Sequence, residues 1–254
     1  MIDNLKAQKE FKEYVKNYNP EDEKIKIKIS HIERVSQVAK NIATNLKLAT
    51  EDIQLAELIG LLHDIGRFEQ IKQYDTFNDR LSINHGKYGV KVLFEDGLIR
   101  KFVEDDQYDE IIKQAILNHN TAGIKEGLPE RQLLHSKIIR DADKIDIYYA
   151  LIIGDKKAIW GKEDLSNDTI KDELYREFME DRQINYNNVV GGTDDLLCHF
   201  AYVFDFNFKD SLKIIKDKKY IDLLYNRFKF KDEETMRKYN EIYKTVKEYM
   251  DSAN

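Results

Sequence analysis

Four of the six histidines in the chain lie at ends of predicted apolar helices, and two aspartates accompany them. Imidazole and carboxylate donors suit divalent Mn, Fe, Co, Ni or Zn, and Mg²⁺ is an alternative occupant of oxygen-rich sites. Any one such histidine is more often a core or capping residue than a metal ligand. For all four histidines together with the two aspartates, metal binding is the favoured interpretation. The sequence therefore predicts a site for one or two divalent ions, formed by His31, His63, Asp64, His85, His119 and Asp143.

The centre of this pattern is the segment Leu61-Leu62-His63-Asp64-Ile65-Gly66-Arg67, which closes an almost wholly apolar helical run from Ile53. Burying an ionised carboxylate is costly unless a positive charge compensates it. A metal ion bound by His63 and Asp64 together would do so. The alternative is a helix that ends at Gly66, with both polar side chains in solvent.

Two further candidates lie on predicted apolar helix faces. His119 follows Ile116 by three residues and Ala115 by four, at the end of a helix that begins near Tyr108. Asp143 is four residues from Ile139 and from Ile147, in a long helix predicted over residues 130–153. A carboxylate on such an apolar helix face needs a positively charged or hydrogen-bonding partner. Two histidines lack this pattern and are interpreted as ordinary structural residues: His135 and His199.

Other segments supply the predicted scaffold. Residues 5–18 form an amphipathic helix, whereas 24–29 alternate Lys and Ile and indicate an extended lead-in. Ser30 is the predicted cap of a helix that begins at His31, and Thr50 opens the helix leading to His63. Residues 68–83 show no clear period and indicate a loop with a short helical turn.

Composition narrows the class of protein. The 254 residues are 42% hydrophobic and carry a net charge of −6, which argues against a long nucleic-acid partner. The single cysteine, Cys198, excludes an internal disulfide and favours a reducing compartment. The N-terminus lacks the apolar core of a signal peptide, and no run is long enough to span a membrane. These features predict a cytoplasmic, mostly α-helical protein.

The residues quoted above resemble the HD superfamily of metal-dependent phosphohydrolases. The resemblance rests on His31, His63-Asp64 and the Ala142-Asp143-Lys144 segment. It implies an all-α fold, an HD-domain helical bundle with a helical C-terminal extension. The implied core covers residues 25–155, with an N-terminal helix packing on it over residues 1–24. Residues 156–254 are expected to extend the same domain.

The additional His85 and His119 resemble the subset of this superfamily that holds two metals, including the HD-GYP cyclic-dinucleotide phosphodiesterases and a diadenosine-tetraphosphatase branch. Asn118 and Asn120 flank His119 where the HD-GYP pattern has a second His and a Glu, which argues against cyclic-dinucleotide specificity. The resemblance thus implies hydrolysis of a phosphoester or phosphoanhydride in a small, nucleotide-like phosphorylated substrate.

In this hypothesis one ion takes His31, His63, Asp64 and Asp143, and the second takes His85 and His119, with Asp64 as the bridge. Two such ions can generate a hydroxide nucleophile at neutral pH. Two cations, Arg67 and Lys144, are candidates for neutralising the phosphate, with solvated surface cations as the alternative interpretation. Two other functions stay open: a non-catalytic metal- and nucleotide-binding sensor or scaffold, and a di-iron oxygenase. The sequence leaves the substrate, the native metal and the oligomeric state undetermined.

Overall fold

The computed structural model describes residues 2–252, and within that range every regular element is helical and no strand occurs. The predicted all-α fold is therefore confirmed. The chain divides into an N-terminal unit, Met1–Asp146, and a C-terminal unit, Ile147–Asn254. The boundaries predicted at residues 24 and 155 stay predictions. Among the described residues, no helix is long and apolar enough to cross a membrane.

Within its described residues, 2–146, the N-terminal unit contains seven α-helices and most of an eighth, whose last residues belong to the C-terminal unit. Short 3₁₀ and π-helical turns cover Asp79–Leu81 and Lys91–Glu95. The helices are α1 (Asn4–Val15), α2 (Glu23–Asn45), α3 (Thr50–Leu62), α4 (Gly66–Tyr74), α5 (His85–Val90), α6 (Ile99–Phe102), α7 (Asp109–His119) and α8 (Glu130–Ile153).

The extended lead-in predicted for residues 24–29 is wrong, because α2 already begins at Glu23, with the Asp22 side chain accepting from the Lys24 amide. Of the alternating isoleucines, Ile25 is buried, as is Ile32 farther along the helix, whereas Ile27 faces solvent. Ile25 and Ile32 are seven residues apart, which places them on one face of a helix but on opposite faces of a strand. Burial of both therefore selects the helix. The predicted start at Ser30 and His31 is therefore also wrong, and His31 lies inside α2.

The segment 68–83 is more helical than predicted, since α4 spans nine residues, Gly66–Tyr74. Its anchor is Phe68, which is fully buried and packs edge-on against Phe11 and Tyr14 of the first helix. Such aromatic contacts to a distant segment leave no local period in the sequence. The predicted cap at Thr50 also differs, because Ala49 precedes α3 and no side chain caps that helix.

Two glycines allow the site-bearing helices to approach closely. A Cβ on Gly60 of α3 would lie 2.6 Å from the Cα of Ser36 in α2. Ser36 Oγ also donates to the Glu57 carbonyl at 2.7 Å and joins the same two helices. A Cβ on Gly66 would collide with the backbone of His85 and Gly89 in α5. These contacts bring the backbone of α2 against that of α3, and the first residue of α4 against the backbone of α5.

The core of the C-terminal unit is rich in aromatic side chains. Its buried aromatic residues include Trp160, Phe178, Phe200 and Tyr239. The helix that begins at Thr193 ends at Ala201 and continues as a 3₁₀ turn to Asp205. The helices beyond α8 are α9 (Lys156–Trp160), α10 (Asp172–Asp181), α11 (Thr193–Ala201), α12 (Lys209–Asp217), α13 (Tyr220–Tyr225) and α14 (Glu233–Ser252).

Candidate metal centre

The six predicted donor residues meet at one place in the N-terminal unit, although they come from five different parts of the chain. All are buried except Asp143, whose side chain is 18% exposed. Successive imidazole rings stand 5.4 Å, 5.2 Å and 4.9 Å apart, centroid to centroid. The cluster comprises His31 of α2, His63 and Asp64 after α3, His85 of α5, His119 of α7 and Asp143 of α8.

Asp64 lies at the centre of the cluster, and its two carboxylate oxygens face different histidines. Oδ2 lies 3.4 Å from His31 Nε2 and 3.5 Å from His63 Nε2. Oδ1 lies 3.3 Å from His85 Nε2 and 3.6 Å from His119 Nε2. This arrangement has the form of a bridging carboxylate between two pairs of imidazoles.

Asp143 adds an oxygen to the first pair. Its Oδ1 lies 3.2 Å from His31 Nε2 and 3.8 Å from His63 Nε2. The donor atoms form overlapping groups compact enough to hold an ion, within 4.8 Å of one another. These groups are His31–His63–Asp64, His63–His119–Asp143 and Asp64–His85–His119.

The orientation of each imidazole is set by an acceptor on its other nitrogen. His63 Nδ1 donates to the Gly60 carbonyl at 2.8 Å, and His119 Nδ1 donates to the Ile116 carbonyl at 2.6 Å. Because a carbonyl can only accept, it fixes the tautomer with the proton on Nδ1. The Nε2 lone pair of each ring then points into the cluster, as metal binding requires.

Two carboxylates perform the same task for the other rings, and the sequence analysis missed both. His31 Nδ1 lies 2.7 Å from Asp146 Oδ2, and His85 Nδ1 lies 2.7 Å from Asp79 Oδ2. Asp146 follows Asp143 by three residues and therefore shares its helix face, which is a usable sequence signal. Asp79 lies in a turn outside any periodic segment, where no such signal exists.

Burial and the neighbouring charges determine which groups are ionised. Burial lowers the pKa of His63 and of His85 to about 4, so both imidazoles are neutral at pH 7. Burial acts to raise the pKa of Asp64, but Lys28 and the surrounding histidines hold it well below its usual value. Burial and Lys28 oppose protonation of His31, yet its aspartate partners raise its pKa to about 10. Without a bound ion this imidazole is therefore protonated at pH 7, and an ion would take the place of the proton on Nε2.

Several atoms of the cluster lack the partner that a buried polar group needs. Within the described chain, His63 Nε2 and Asp64 Oδ1 are buried and make no hydrogen bond. His85 Nε2 and His119 Nε2 stand 3.0 Å apart, although both rings already donate through Nδ1. Two facing lone pairs at this distance repel each other unless a proton or a metal ion lies between them. The donor set fits divalent cations, which would satisfy these buried atoms.

A lysine that the sequence analysis overlooked also enters the cluster. Lys28 Nζ lies 2.6 Å from Asp64 Oδ2, and its side chain is only 13% exposed. Lys28 is three residues before His31, so the two side chains share a face of α2. In the predicted extended conformation the side chains of Lys28 and His31 would instead lie on opposite faces.

The two predicted catalytic cations differ in their surroundings. Arg67 Nη1 donates to Gln70 Oε1, to the Phe77 carbonyl and to Asp79 Oδ1, at 2.7, 2.5 and 2.9 Å. Arg67 therefore holds the turn that carries the Asp79 carboxylate. Lys144 is buried beside Asp143 on α8. Catalytic roles for Asp64, Arg67 and Lys144 stay proposals.

The remaining histidines lie outside the cluster. His135 Nε2 lies 2.9 Å from Asp52 Oδ1, in a group that also includes Arg131. His199 belongs to the C-terminal unit and packs edge-on against Trp160 and Tyr202. Neither histidine forms part of a potential metal-binding group among the described residues.

Comparison with known proteins gives one match. Residues 29–148 match the family model of the HD domain. We found no match among curated proteins or among solved structures. The matched region contains all six clustered donors, from His31 to Asp143, together with the two carboxylates that orient His31 and His85. Residues 29–148 therefore form an HD domain.

Proposed function

We propose that this protein is a metal-dependent phosphohydrolase that cleaves a phosphoester or phosphoanhydride in a small, nucleotide-like substrate. The proposal rests on the orientation of the Asp64 carboxylate. One of its oxygens faces His31 and His63, and the other faces His85 and His119. A carboxylate with this disposition suits a pair of ions rather than a single one.

The residues present suit such ions in number and in type. The first ion would be held by His31, His63, Asp64 and Asp143, and the second by Asp64, His85 and His119. Nitrogen and oxygen donors in this mixture favour Mn, Fe, Co, Ni or Zn over Mg²⁺. When bound, the ions would supply Lewis acidity toward a phosphoryl oxygen and make water a stronger acid.

The protein itself holds the donor side chains in fixed orientations. Asp79 and Asp146 fix the tautomers of His85 and His31, and carbonyl groups do so for the other two imidazoles. Arg67 in turn holds Asp79 by an ion pair of 2.9 Å. Donors fixed in this way need little reorganisation when a substrate binds, and that preorganisation lowers the barrier.

The proposed substrate is small for electrostatic reasons. A protein with a net charge of −6 gains little from the counterion release that drives binding to long nucleic acids. The positive potential would be concentrated at the metal centre and its neighbouring cations. That is sufficient for one or a few phosphates.

The test is a hydrolysis screen with protein loaded separately with Mn, Fe, Co, Ni, Zn or Mg. Mononucleotides, dinucleoside polyphosphates and p-nitrophenyl phosphate should be cleaved far faster than oligonucleotides of ten or more residues. Running the same screen without oxygen separates hydrolysis from oxygenase chemistry, because only the latter consumes O₂. An Asp64→Asn variant is the matched inactive control.

Other outcomes would replace the proposal. Nucleotide binding without turnover under every metal condition would favour the sensor or scaffold function. A preference for long single-stranded RNA or DNA at physiological salt would overturn the electrostatic argument and indicate a nuclease.

A further inference from the structure

We propose that Lys28 is the residue that binds the phosphate group of the substrate at this centre. The inference rests on the proposed phosphohydrolase function and extends it to a residue outside the predicted ligand set. It assigns the recognition of the anion to α2, the helix that also carries His31.

The first support is the position of the ammonium group. Lys28 Nζ approaches Asp64 Oδ2 to 2.6 Å, and the same oxygen lies 3.4–3.5 Å from the Nε2 atoms of His31 and His63. A phosphate bound among these donors would therefore lie within reach of Nζ. The side chain is still 13% exposed, so it also borders the solvent side of the cluster.

The second support is that the neighbouring cationic side chains are already paired with carboxylates that orient histidines. Arg67 is bound to Asp79, and Arg34 contacts both oxygens of Asp146, at 2.6 and 2.9 Å. Each of these carboxylates orients a histidine, so recruiting either guanidinium would loosen a donor ring. Arg67 Nε also lies 3.7 Å from Asp64 Oδ1, whereas Lys28 Nζ contacts the other oxygen of this central carboxylate at 2.6 Å. Lys28 can move toward a phosphate without releasing a histidine.

The third support is the chemistry of the side chain and its surroundings. An ammonium on a four-carbon stem is a mobile point charge, well suited to follow a phosphate. Lys28 Nζ also lies 5.2 Å from the centroid of the Phe77 ring, and Arg67 approaches the same ring at 5.8 Å. Phe77 thus flanks the lysine at the border of the cluster. There it can contact the group attached to the phosphate.

The chain offers a matched control on the same helix. Lys24 Nζ lies 2.6 Å from Asp75 Oδ1, an ion pair as short as that of Lys28, but Asp75 is 80% exposed. Lys24→Met and Lys28→Met therefore remove the same charge from the same helix. Only Lys28→Met removes it from the metal centre.

The experiment measures inorganic phosphate binding to Mn-loaded protein by isothermal titration calorimetry. Lys28→Met should weaken phosphate binding about ten- to a hundredfold, the usual effect of losing one charge-assisted hydrogen bond. Lys28→Arg should recover most of the affinity, and Lys24→Met should stay within about twofold of the unaltered protein. Metal content and circular dichroism are measured for each variant.

Protection of the unaltered protein gives a second measurement that needs no folded variant. Saturating phosphate should slow the acetylation of Lys28 by acetic anhydride, followed by mass spectrometry, and leave Lys24 unaffected. Equal acetylation of Lys28 with and without phosphate would overturn the proposal. Unchanged phosphate affinity in a folded, metal-loaded Lys28→Met variant would do the same.

These results separate the inference from the proposed function. If phosphate binding depends on Lys28 but no phosphoester is hydrolysed, the inference stands and the hydrolase function fails. If the unaltered protein hydrolyses phosphoesters and Lys28→Met binds phosphate normally, the function stands and the inference fails.

Discussion

Buried histidines occur in both units of the protein, and they differ in what surrounds them. Burial lowers the pKa of His63 in the N-terminal unit and of His199 in the C-terminal unit to about 4. His63 donates through Nδ1 to a carbonyl and directs Nε2 toward Asp64 and Asp143. His199 packs against aromatic rings and belongs to no potential metal-binding group among the described residues.

The comparison separates two effects that are easily confused. Burial alone keeps an imidazole neutral, which is necessary for metal binding but not sufficient. A ligand also needs an acceptor that holds one nitrogen and further donor atoms around the other. The N-terminal cluster has both features, whereas His199 is neutral but belongs to no group of donors among the described residues.

The largest effect should come from removing the shared carboxylate. Asp64→Asn should weaken binding of both ions by more than about a hundredfold, since even changes in outer-shell partners cost 10–100-fold. Metal content after dialysis, measured by elemental analysis, is the readout. His119→Ala should mainly lose one ion, and His199→Phe should lose none. Full metal content in Asp64→Asn would rule out the bridging arrangement.

The next effect concerns the carboxylates that orient the imidazoles. Asp79→Asn should weaken binding of the second ion about 10–100-fold, because His85 loses its charged acceptor. Asp52→Asn is the matched control, since Asp52 also pairs with a histidine, His135, but outside the cluster. Metal titration of both variants tests the difference. Equal losses would mean that neither carboxylate acts through orientation.

The third prediction concerns pH and the C-terminal unit. Since burial lowers the pKa of folded His199 to about 4, the unfolded chain binds the proton first as pH falls below about 6.5. The stabilisation by neutral His199 is complete above pH 6.5 and is lost as pH falls toward 4. His199→Phe should therefore remove about 2 kcal/mol of the difference in unfolding free energy between pH 7.5 and 5.

Denaturant unfolding of the two proteins at both pH values measures that difference. The comparison uses the pH dependence rather than absolute stability, because the substitution also changes packing. Identical pH dependence in the two proteins would contradict the assignment.

The smallest effect should come from Arg34, which donates to the orienting carboxylate of Asp146. Arg34 is 37% exposed, and its ion pair with Asp146 is therefore partly screened by solvent. Arg34→Gln should weaken binding of the first ion by about fivefold or less, as expected for exposed ion pairs. Calorimetric metal titration resolves a change of this size. A loss as large as that of Asp79→Asn would show that Arg34 acts directly on His31.

Sequence reasoning located the donor residues because they stand beside apolar runs with a clear helical period. His63, Asp64 and His119 could be placed at helix ends, and Asp143 on an apolar stripe, before any contact was known. The all-α fold followed from the same periodicity. Each of these features depends on neighbours within about one helical turn.

The missing parts of the site depend on contacts between distant segments. Asp79 lies in a turn, and only the folded chain brings it to His85 and Arg67. The position of Lys28 could not be predicted, because the alternation of Lys and Ile fits a strand as well as a helix. Only the burial of one face decides between the two. Local patterns cannot resolve either case, because the deciding interactions are tertiary.

Gly60 has a consequence for the selection of ions. It lets α2 and α3 touch through their main chains, and its carbonyl accepts from His63 Nδ1. The spacing of the helix that carries His31 and the helix that leads to His63 is consequently fixed by backbone contact. We expect this part of the candidate metal centre to adjust little in width, so ions of different radius should bind with different affinities.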